Sequence, residues 1–457
     1  MTFDLSTLLE YLSMEIIADL QLHSRYSRAV SPNMTLEEIS RWAKIKGIKL
    51  IATGDWTHPL WLLTIKENLK ETSEGIYTLK DKPGETNFLL STEISSIYSQ
   101  DGQVRRVHNL IFSPSIKTCE KITKELNSQG CNLMADGRPI VGISSVDLLK
   151  IVLEIDNRVL FIPAHAWTPW FSIFGSKSGF DSIEECFGDY DKYIYAIETG
   201  LSSDPIMNWQ IKELKNRSIV SFSDAHSGPK IGREATVFIP TIEQSDNAIK
   251  DFSYNDIANA IKQNPNSKLK IGYTIEFFPE EGKYHWSGHR VCNVRYNAKE
   301  IKEKGSTCPI CKKPLTVGVE NRVLDLSEKL LEEKDLLFVK SKVGLTYVFD
   351  KEKIRRPFIS MVPLLEILLE LNAHSQTKAQ REYERLTNNL GTEFDILLSK
   401  DYNEIEKIGG EKLRQAIEIV RERKVFVDPG YDGVFGKVKI FKEENKIREQ
   451  ITQQTLF

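Results

Sequence analysis

Five histidines of this 457-residue chain lie at or near the end of a short apolar run, and Asp or Glu ends most other such runs. Imidazole and carboxylate together suit Zn, Mn or Fe better than Mg alone. A single histidine of this kind is often only a half-buried, hydrogen-bonded side chain. Its recurrence along the chain predicts one composite metal site. The candidate ligands are Asp19, His23, Asp55, His58, Glu93, His108, His165, Glu198, Asp224 and His226.

Four further residues have the spacing of a structural zinc site. His289-x2-Cys292 and Cys308-x2-Cys311 are separated by 15 residues, as in two turns that clamp one tetrahedral ion. Four ligands leave no open coordination position, so we expect this zinc ion to stabilise a small domain. The alternative is that these cysteines are buried thiols, as we expect for the three other cysteines of the chain.

Short strands must position the candidate ligands. The apolar runs are rich in Ile, Val, Leu and aromatic residues, as in strands buried on both faces. They are EIIADLQLH, KLIATGDWTH, NFLLSTE, VHNLIF, VLFIPAH, YIYAIE and SIVSFSDAH, and all but VHNLIF end in His, Asp or Glu. Amphipathic stretches separate them, for example TLEEISRWAKIKG, where Thr35 and Glu38 form a capping box and Gly47 a stop. The alternation predicts a parallel (β/α) barrel, in which the carboxyl ends of the strands meet at one rim.

Length and composition exclude several classes of protein. The length predicts two or three domains. With 40% hydrophobic and 27% charged residues, the chain is neither disordered nor fibrous. Its 61 Lys and Arg against 64 Asp and Glu exclude a protein that coats nucleic acid by overall charge. We find no signal peptide or membrane-spanning run, and the cysteines are too sparse for a disulfide framework, so we expect a cytoplasmic, nucleoid-associated protein.

The strand-end motifs resemble those of the polymerase and histidinol phosphatase (PHP) family of metal-dependent phosphoesterases. That family opens with His-x-His, for which this chain has Gln21-Leu22-His23. The other corresponding elements are GDWTH (54–58), TEIS (92–95), the isolated His108 and His165, and SDAH (223–226). The resemblance implies an α/β fold, a distorted TIM-like (β/α) barrel of the PHP type. It also adds Gln21, an amide in place of an imidazole, to the candidate metal ligands.

Longer stretches are similar to one branch of that family, the repair nucleases that nick DNA 5′ to deaminated bases. They are residues 18–61, 163–180, 223–236 and 429–441. The resemblance implies an endonuclease specific for uracil, hypoxanthine, xanthine or abasic sites, with two or three Zn, Mn or Mg ions. Such ions and water can hydrolyse a phosphodiester without a protein nucleophile. The catalytic residues implied are Asp224, His226, His23 and His165.

A basic region around the zinc motif could hold nucleic acid. Between residues 263 and 323, eleven Lys and Arg accompany six Glu, and aromatic residues are interleaved with the cations. This composition can hold phosphates and stack bases, although a solvated face over a small aromatic core is the alternative. Aromatic residues after the fifth predicted strand could receive an extruded base or form an apolar lid. The candidate DNA contacts are Lys177, Lys230, Arg233, Trp167, Trp170, Phe171, Tyr284 and Arg290.

The C-terminal third is predicted to be helical. Ile408-Gly409-Gly410, between two periodic segments, fits a helix-hairpin-helix or a plain helical hairpin. The last residues form Gln-x-x-Leu-Phe, with Gln453, Leu456 and Phe457, which resembles the peptide that docks bacterial repair proteins on the sliding clamp. The alternative is that this peptide packs on the chain's own surface.

We therefore predict four parts: a PHP catalytic barrel (1–262), a zinc-binding, DNA-contacting domain (263–328), a helical domain (329–447) and a clamp-binding tail (448–457). The partners expected are damaged DNA and the clamp, and the protein is expected to be a monomer. Two other functions stay open, a small-molecule phosphatase of the same family and a non-catalytic DNA-binding or scaffolding protein. The basic zinc region, the helical region and the terminal peptide favour the nuclease, since a metabolite phosphatase needs none of them.

Overall fold

The computed structural model describes residues 15–241 and 251–442. Within them the strands are β1 (Ile16–Asp19), β2 (Leu50–Ala52), β3 (Leu69–Ser73), β4 (Ile76–Leu79), β5 (Asn87–Gln100), β6 (Gln103–Ser113), β7 (Ile140–Val141), β8 (Leu160–Pro163), β9 (Ala196–Glu198), β10 (Ser218–Val220), β11 (Ala235–Pro240), β12 (Leu269–Glu276), β13 (Ser287–His289), β14 (Val294–Tyr296), β15 (Leu336–Lys340), β16 (Thr346–Asp350), β17 (Phe358–Ser360), β18 (Phe426–Asp428) and β19 (Lys437–Lys439).

The α-helices of the same residues are α1 (Leu36–Lys46), α2 (Pro59–Asn68), α3 (Ile116–Ser128), α4 (Ser145–Ile155), α5 (Ile183–Phe187), α6 (Pro205–Trp209), α7 (Tyr254–Ile261), α8 (Ala298–Lys304), α9 (Val319–Leu326), α10 (Leu364–Leu371), α11 (Gln376–Leu390), α12 (Tyr402–Gly409) and α13 (Glu411–Arg421). As predicted, Thr35 caps α1, with its hydroxyl accepting from Glu38 N at 3.3 Å, and Gly47 ends it with φ 89°. The other half of the predicted capping box is replaced, because the Glu38 carboxylate accepts from Arg41 Nη2 (2.7 Å) and Trp42 Nε1 (2.8 Å). In the described part of the chain, no helix has the length and apolar character needed to cross a bilayer.

All seven predicted runs form strands, namely β1, β2, β5, β6, β8, β9 and β10. Alternate residues of these strands point into one buried apolar cluster, as the two-residue period of a strand requires. The cluster includes Ile16, Ala18, Leu50, Leu89, Leu110, Phe112, Leu160, Ile162, Ala196 and Val220. A second cluster takes residues from the other faces of the strands and from the helices packed against them, for example Ile51 and Ile39. Both faces of the strands are therefore buried: one packs on the first cluster, to which α7 adds Tyr254 and Ile257, and the other packs against helices such as α1.

The central sheet is mixed, which differs from the predicted parallel arrangement. Its path runs β15-β16-β17-β12-β11-β1-β2-β5-β4-β3, while β6 and β7 also pair with β5, and β8 pairs with β6. The pairs β1–β2 and β2–β5 are parallel, but β6 is antiparallel to both β5 and β8. This reversal explains why VHNLIF does not end in a ligand: β6 runs against its neighbours, so His108, near the beginning of that run, lies just beyond the end of β8, where Asn109 pairs with Pro163.

Backbone hydrogen bonds past the strand ends bring the remaining elements to the same rim. Ala166 N, after β8, donates to Glu198 O at the end of β9 (3.0 Å), and β9 pairs in parallel with β10. His23 N, after β1, in turn donates to Ala225 O after β10 (3.0 Å). The segments that carry the candidate ligands are thus linked in sequence around one end of the strands.

The central sheet crosses two of the predicted domain boundaries. β12, which follows residue 262, lies between β11 and β17. The region 329–447, predicted to be helical, begins with β15, β16 and β17 before helices α10 to α13. In this region, α12 and α13 meet at Gly410, which has φ 83°. The predicted clamp-binding residues Gln453, Leu456 and Phe457 lie outside the described residues.

A buried ion pair joins α1 to the C-terminal helical region. Lys46 Nζ lies 2.9 Å from Glu393 Oε2, with side chains only 1% and 4% exposed. The Tyr383 hydroxyl donates to the same carboxylate oxygen (2.6 Å), and Leu364 N donates to the other (3.0 Å). Because removing one member of a buried pair leaves an uncompensated charge, this pair couples the two regions energetically.

Glu393→Gln is therefore expected to lower the free energy of unfolding by about 3–5 kcal/mol. Urea denaturation followed by circular dichroism measures the effect. Glu384→Gln, at an exposed glutamate of α11, is the matched control and should change stability little. Equal stability of the two variants would show that the Lys46 ammonium has another counter-charge.

Candidate functional site

The first group of candidate ligands comes from the segments after β1 and β10. His23, Asp224 and His226 offer ligand atoms that all lie within 4.8 Å of one another. His23 Nε2 is 3.1 Å from Asp224 Oδ1, and the rings of His23 and His226 have centroids 4.8 Å apart. One carboxylate and two imidazoles at this separation are a suitable donor set for a divalent transition metal.

Asp55 holds His23 in position. Its Oδ1 lies 3.0 Å from His23 Nδ1, which leaves Nε2 facing Asp224. Its Oδ2 accepts hydrogen bonds from Ser24 N (2.6 Å), Ser24 Oγ (2.7 Å) and Ser27 Oγ (2.9 Å). Both oxygens thus have protein partners, which are the contacts of a carboxylate that orients a histidine, and metal ligation by Asp55 itself stays a prediction.

The second group consists of Glu93 on β5, His108 on β6 and His165 after β8. Glu93 Oε1 is 2.5 Å from His108 Nδ1 and 3.5 Å from His165 Nε2, and the two ring nitrogens are 3.2 Å apart. Glu93 Oε2 accepts from Gln21 Nε2 at 2.6 Å and lies 3.3 Å from His23 Nε2. Glu93 therefore bridges the two groups, which form one continuous centre.

Two buried atoms of this centre, Gln21 Oε1 and Glu198 Oε1, have no hydrogen-bond partner. His23 Nε2 and Asp224 Oδ1 face each other at 3.1 Å, and neither makes a well-aligned hydrogen bond. A buried polar atom without a partner costs about 1–3 kcal/mol, so these atoms, gathered in one place, call for a ligand. All four can donate a lone pair to a cation. The donor set therefore fits cations, including at Gln21, whose amide nitrogen is already bound to Glu93.

The charges of the centre favour the same conclusion. Burial alone would raise the pKa of Glu93, but its interactions with His108 and with the Arg138 guanidinium hold that pKa well below its usual range, while burial lowers the pKa of His108 to about 4. Burial raises the pKa of Glu198 well above its usual range, and the charges of Asp224 and Glu93 add to the shift. For His23, burial would lower the pKa, yet Asp55, Asp224 and Glu93 raise it well above the usual value. The clustered, buried carboxylates therefore favour the binding of cations.

Three strand-end residues of the site adopt the left-handed backbone region that favours glycine. Asp55 has φ 50°, His165 φ 30° and Asp224 φ 46°. Such conformations in non-glycine residues cost of the order of 1–3 kcal/mol and concentrate at functional sites. The fold therefore accepts local backbone strain to aim these side chains at the centre.

Two other predicted ligands, Asp19 and His58, lie outside the two ligand groups. Both carboxylate oxygens of Asp19 accept backbone hydrogen bonds, from Ser223 N (2.9 Å) and Gly232 N (2.8 Å), so Asp19 fixes the loop that carries Asp224. His58 stacks on Tyr26, with ring centroids 4.4 Å apart, and belongs to neither ligand group of the described residues. The prediction that these two side chains ligate metal directly differs from their observed contacts.

Arg138 is a site residue that the sequence analysis missed. Its Nη1 lies 3.5 Å from Glu93 Oε1, and its side chain is 27% exposed. It is carried by the loop between α3 and β7, where a Cβ on Gly137 would collide with the Asp55 carboxylate and the Ser27 hydroxyl. The only sequence signal is the Asp-Gly turn before it, which predicts a loop but not its destination.

An open cavity of about 370 Å³ adjoins the second group. Its lining residues are Arg106, Thr168, Pro169, Trp170, Phe171 and Tyr284. The Phe171 ring centroid is 4.8 Å from that of His108, and the Trp170 and Tyr284 rings meet edge to face at 5.5 Å. The cavity therefore offers aromatic faces within reach of the ligand groups, with the Arg106 guanidinium at 5.7 Å from the Phe171 ring centroid.

Some of the other candidate DNA contacts are exposed, and the rest bind other groups of the protein. Lys177 and Arg290 are exposed. Trp167 is 1% exposed and donates its indole N–H to Asn208 Oδ1 (2.7 Å), so its ring packs in the core, and its contact with DNA stays a prediction. Lys230 pairs with Glu366 (2.6 Å), and Arg233 donates to Ser223 O (2.9 Å) and thereby supports the loop before Asp224.

The four predicted zinc ligands also converge. His289, Cys292, Cys308 and Cys311 place their ligand atoms within 4.8 Å of one another, and Cys311 Sγ is 3.5 Å from His289 Nδ1. The apolar cluster around them contains only Val294, Cys308 and Leu315 as buried residues. A core this small gives little hydrophobic stabilisation, so the four side chains fit a structural ion that holds the region together.

The chain thus has a mixed α/β fold with carboxylate and imidazole groups, which could hold metal ions, gathered at its strand ends. The chain is similar to the lesion-specific endonuclease PfuEndoQ from Pyrococcus furiosus, with a TM-score of 0.77 and 26% identity over 96% of this chain and 99% of that one. It is equally similar to endonuclease Q in complex with a 27-mer duplex substrate with an abasic lesion at the active site (TM-score 0.77, 27% identity, 95% and 100% coverage). The resemblance to endonuclease Q, predicted from the motifs, is confirmed.

Two sequence relatives differ in how much of each chain the similarity covers. Uncharacterized protein YqxK of Bacillus subtilis is 26% identical over 440 residues, which are 93% of this chain and 99% of YqxK. Uncharacterized protein MJ0043 of Methanocaldococcus jannaschii is 30% identical over 314 residues, 66% of this chain, and the match spans only 35% of MJ0043. Residues 363–424 match the family model described as the MJ0043 C-terminal domain.

Proposed function

We propose that this protein is a metal-dependent DNA endonuclease of base-damage repair, which nicks the phosphodiester 5′ to uracil, hypoxanthine, xanthine or an abasic site. The observation that carries the proposal is the aromatic cavity beside the ligand groups, where Phe171 and His108 are in ring contact. A nuclease that selects a damaged base needs a pocket outside the helix next to its reactive centre. The similarity to endonuclease Q, whose solved complex holds an abasic lesion at the active site, supports the same assignment.

Two or three divalent ions, Zn, Mn or Mg, are proposed for the centre. His23, Asp224 and His226 would hold one, Glu93, His108 and His165 another, and Gln21 and Glu198 present unpartnered oxygens to the same space. When bound, such ions supply Lewis acidity that lowers the pKa of water and offsets phosphate charge. One structural Zn is proposed for His289, Cys292, Cys308 and Cys311.

The chain's own residues have distinct tasks in this proposal. Asp55 fixes the tautomer and direction of His23, so that Nε2 faces the centre. Arg138, partly exposed and beside Glu93, is placed to bind a non-bridging oxygen of the scissile phosphate. No serine or cysteine nucleophile is required, because water attacks the phosphorus.

The cavity would receive the extruded lesion. Its volume of about 370 Å³ is in the range of small-molecule sites, and Trp170, Phe171 and Tyr284 offer faces for stacking. Extrusion costs a few kcal/mol, and stacking on an aromatic side chain returns about 1–3 kcal/mol per base. Stacking on aromatic faces depends little on the identity of the base, which agrees with a broad lesion range.

Arg138→Met is expected to lower the single-turnover cleavage rate by about 10²–10³-fold, because a charged donor to the transition state is lost. Arg138→Lys should restore part of the rate, since it returns the charge but not the planar fork. The Kd for lesion-bearing DNA should change much less than the rate in both variants.

Arg158→Met is the matched control, since Arg158 pairs with Asp156 and Glu74 at the surface. Its cleavage rate should equal that of the wild type. A wild-type rate for Arg138→Met, with an unchanged melting temperature, would exclude Arg138 from the reaction.

The predicted division into a barrel (1–262), a zinc-binding, DNA-contacting domain (263–328), a helical domain (329–447) and a tail (448–457) is retained as a proposal about function. In it, the exposed Arg290 and Lys177 contact the DNA backbone, and the tail binds a bacterial sliding clamp. Titration of a QQTLF peptide against purified clamp, in competition with the full chain, tests the last point. Loss of competition on changing Leu456 and Phe457 to alanine would support it, and absence of binding by the full chain would refute it.

The proposed activity is tested by comparing three substrates before and after removal of metal with a chelator. They are a duplex with one deaminated base, the same duplex without it, and p-nitrophenyl phosphate. A metal-dependent nick 5′ to the lesion, with little turnover of the other two, is the expected result. Turnover of p-nitrophenyl phosphate alone would indicate a phosphatase, and binding of DNA without cleavage would indicate a scaffolding protein.

A further inference from the structure

The segment 429–436, which we term the glycine loop, folds back onto the zinc-binding region. Gly430 N donates to Glu280 O (2.8 Å), Gly433 N to Lys283 O (2.9 Å) and Gly436 N to Glu281 O (3.1 Å). The loop sequence, PGYDGVFG, contributed to the resemblance above but has no role in the proposed chemistry. These bonds tie the loop to residues 280–283, a turn that immediately precedes Tyr284 of the aromatic cavity.

Close packing fixes the glycine loop in one position. A Cβ on Gly430 would collide with Gly282 O, and a Cβ on Gly436 would collide with Glu280 O. Asp432 accepts from Arg290 N (2.7 Å) and Thr316 Oγ1 (2.6 Å), and the Tyr431 hydroxyl donates to Asn293 Oδ1 (2.7 Å). The loop is therefore bound on both sides and presents its tip in a defined direction.

Despite this packing, the glycine loop exposes a large aromatic side chain. Phe435 is 65% exposed, and the neighbouring Val434 is 40% exposed. Lys283 Nζ lies 4.5 Å from the Phe435 ring centroid, and a Cβ on Gly433 would be 3.2 Å from Arg290 Nη1 and 3.7 Å from the hydroxyl of Tyr284, which lines the aromatic cavity. Lys437, just after the loop, is exposed. The Phe435 ring thus projects from a fixed loop, with basic residues on one side and the aromatic cavity on the other. This arrangement suits duplex DNA with an opened base stack, because the cations can bind phosphates while the ring faces the bases.

We propose that Phe435 is a wedge that enters the base stack of duplex DNA and fills the gap left when the lesion nucleotide enters the aromatic cavity. The inference rests on the proposed function and adds the element that opens the duplex. Apolar side chains inserted between base steps offset unstacking by their own contact with the bases, and cations beside them hold the flanking phosphates. Lys283, Arg290 and Lys437 are placed for the second task.

The test compares Phe435→Ala with the wild type on two substrates, a duplex with one central uracil and the same uracil-containing single strand. A single strand needs no opening, so the wedge should matter only for the duplex. We expect Phe435→Ala to lower the single-turnover rate on the duplex about tenfold or more and to change the rate on the single strand less than about twofold. Phe435→Leu, which keeps apolar bulk, should recover most of the duplex rate.

Phe426→Ala is the matched control, because Phe426 on β18 is also exposed (45%) and pairs with β19 of the same ribbon. It should leave both rates unchanged. If Phe435→Ala cuts the duplex at the wild-type rate, or slows cleavage of both substrates equally, the wedge is refuted while the nuclease assignment stands. If the wild type cuts neither substrate, the proposed function fails and the wedge with it.

Discussion

Replacing Asp224 by asparagine is expected to lower strand cleavage by more than about 100-fold while binding to lesion-bearing DNA survives. Asp224 Oδ1 lies 3.1 Å from His23 Nε2, and Asp224 belongs to the ligand group of His23 and His226, so its charge acts within the centre. Asparagine keeps the shape and removes the charge. Loss of a partner behind a metal ligand already costs 10–100-fold, so loss of a ligand's own charge should cost more.

Metal content, measured by elemental analysis of the purified variant, separates the causes of such a loss. The centre should hold less than the wild-type number of ions, while the zinc bound by the cysteine motif remains. Asp189→Asn, at an exposed aspartate, is the control and should cleave normally. Full activity of Asp224→Asn with unchanged metal content would remove Asp224 from the site.

Cys308→Ser is expected to release about one equivalent of zinc and to unfold the region from about residue 285 to 325 locally. Structural zinc contributes about 10–16 kcal/mol to the folding of small zinc domains, and serine is a poor ligand for this ion. The few buried residues around Cys308 cannot replace that contribution. Affinity for DNA should fall more than the cleavage rate at saturating DNA, because the basic surface is displaced but the centre is intact.

Elemental analysis measures the release of zinc, and hydrogen exchange measures the local unfolding. The ions of the main centre should stay bound. Cys119→Ser, at a buried thiol remote from the motif in sequence, is the control and should retain all zinc. Simultaneous loss of every ion in Cys308→Ser would contradict an independent zinc site. Retention of zinc with a protected 285–325 region would contradict Cys308 as a ligand.

Strand positions could be predicted from the sequence because buried strands leave a strong signal. Each of the seven predicted runs is short, apolar and bounded by turn residues, and each forms a strand. Strand direction has no such signal, since the side-chain period of a strand is the same in both directions. The reversal of β6 therefore could not be predicted, although His108 was still identified from its neighbours.

The sequence predicts the site residues that directly follow strands, but not those that lie on long loops. His23, Glu93, His165 and Asp224 adjoin apolar runs, so their convergence follows from strand ends that share a rim. Arg138 reaches Glu93 on a long loop held by Gly137, and no periodicity marks its destination. The predicted ligands Asp19 and Asp55 have the expected position, but which atoms their oxygens contact depends on loop backbone that sequence patterns do not determine.

The buried pair of Lys46 and Glu393 limits how this protein can be divided or recombined. Glu393 lies within residues 363–424, which match a family model of their own and so suggest an exchangeable cassette. Yet the lysine that Glu393 neutralises belongs to α1, the helix after the first ligand segment. A chimera that takes the cassette from a relative without a carboxylate at this position would bury an ammonium ion with no counter-charge. The two positions should therefore be inherited together, as a charged pair or as an apolar one.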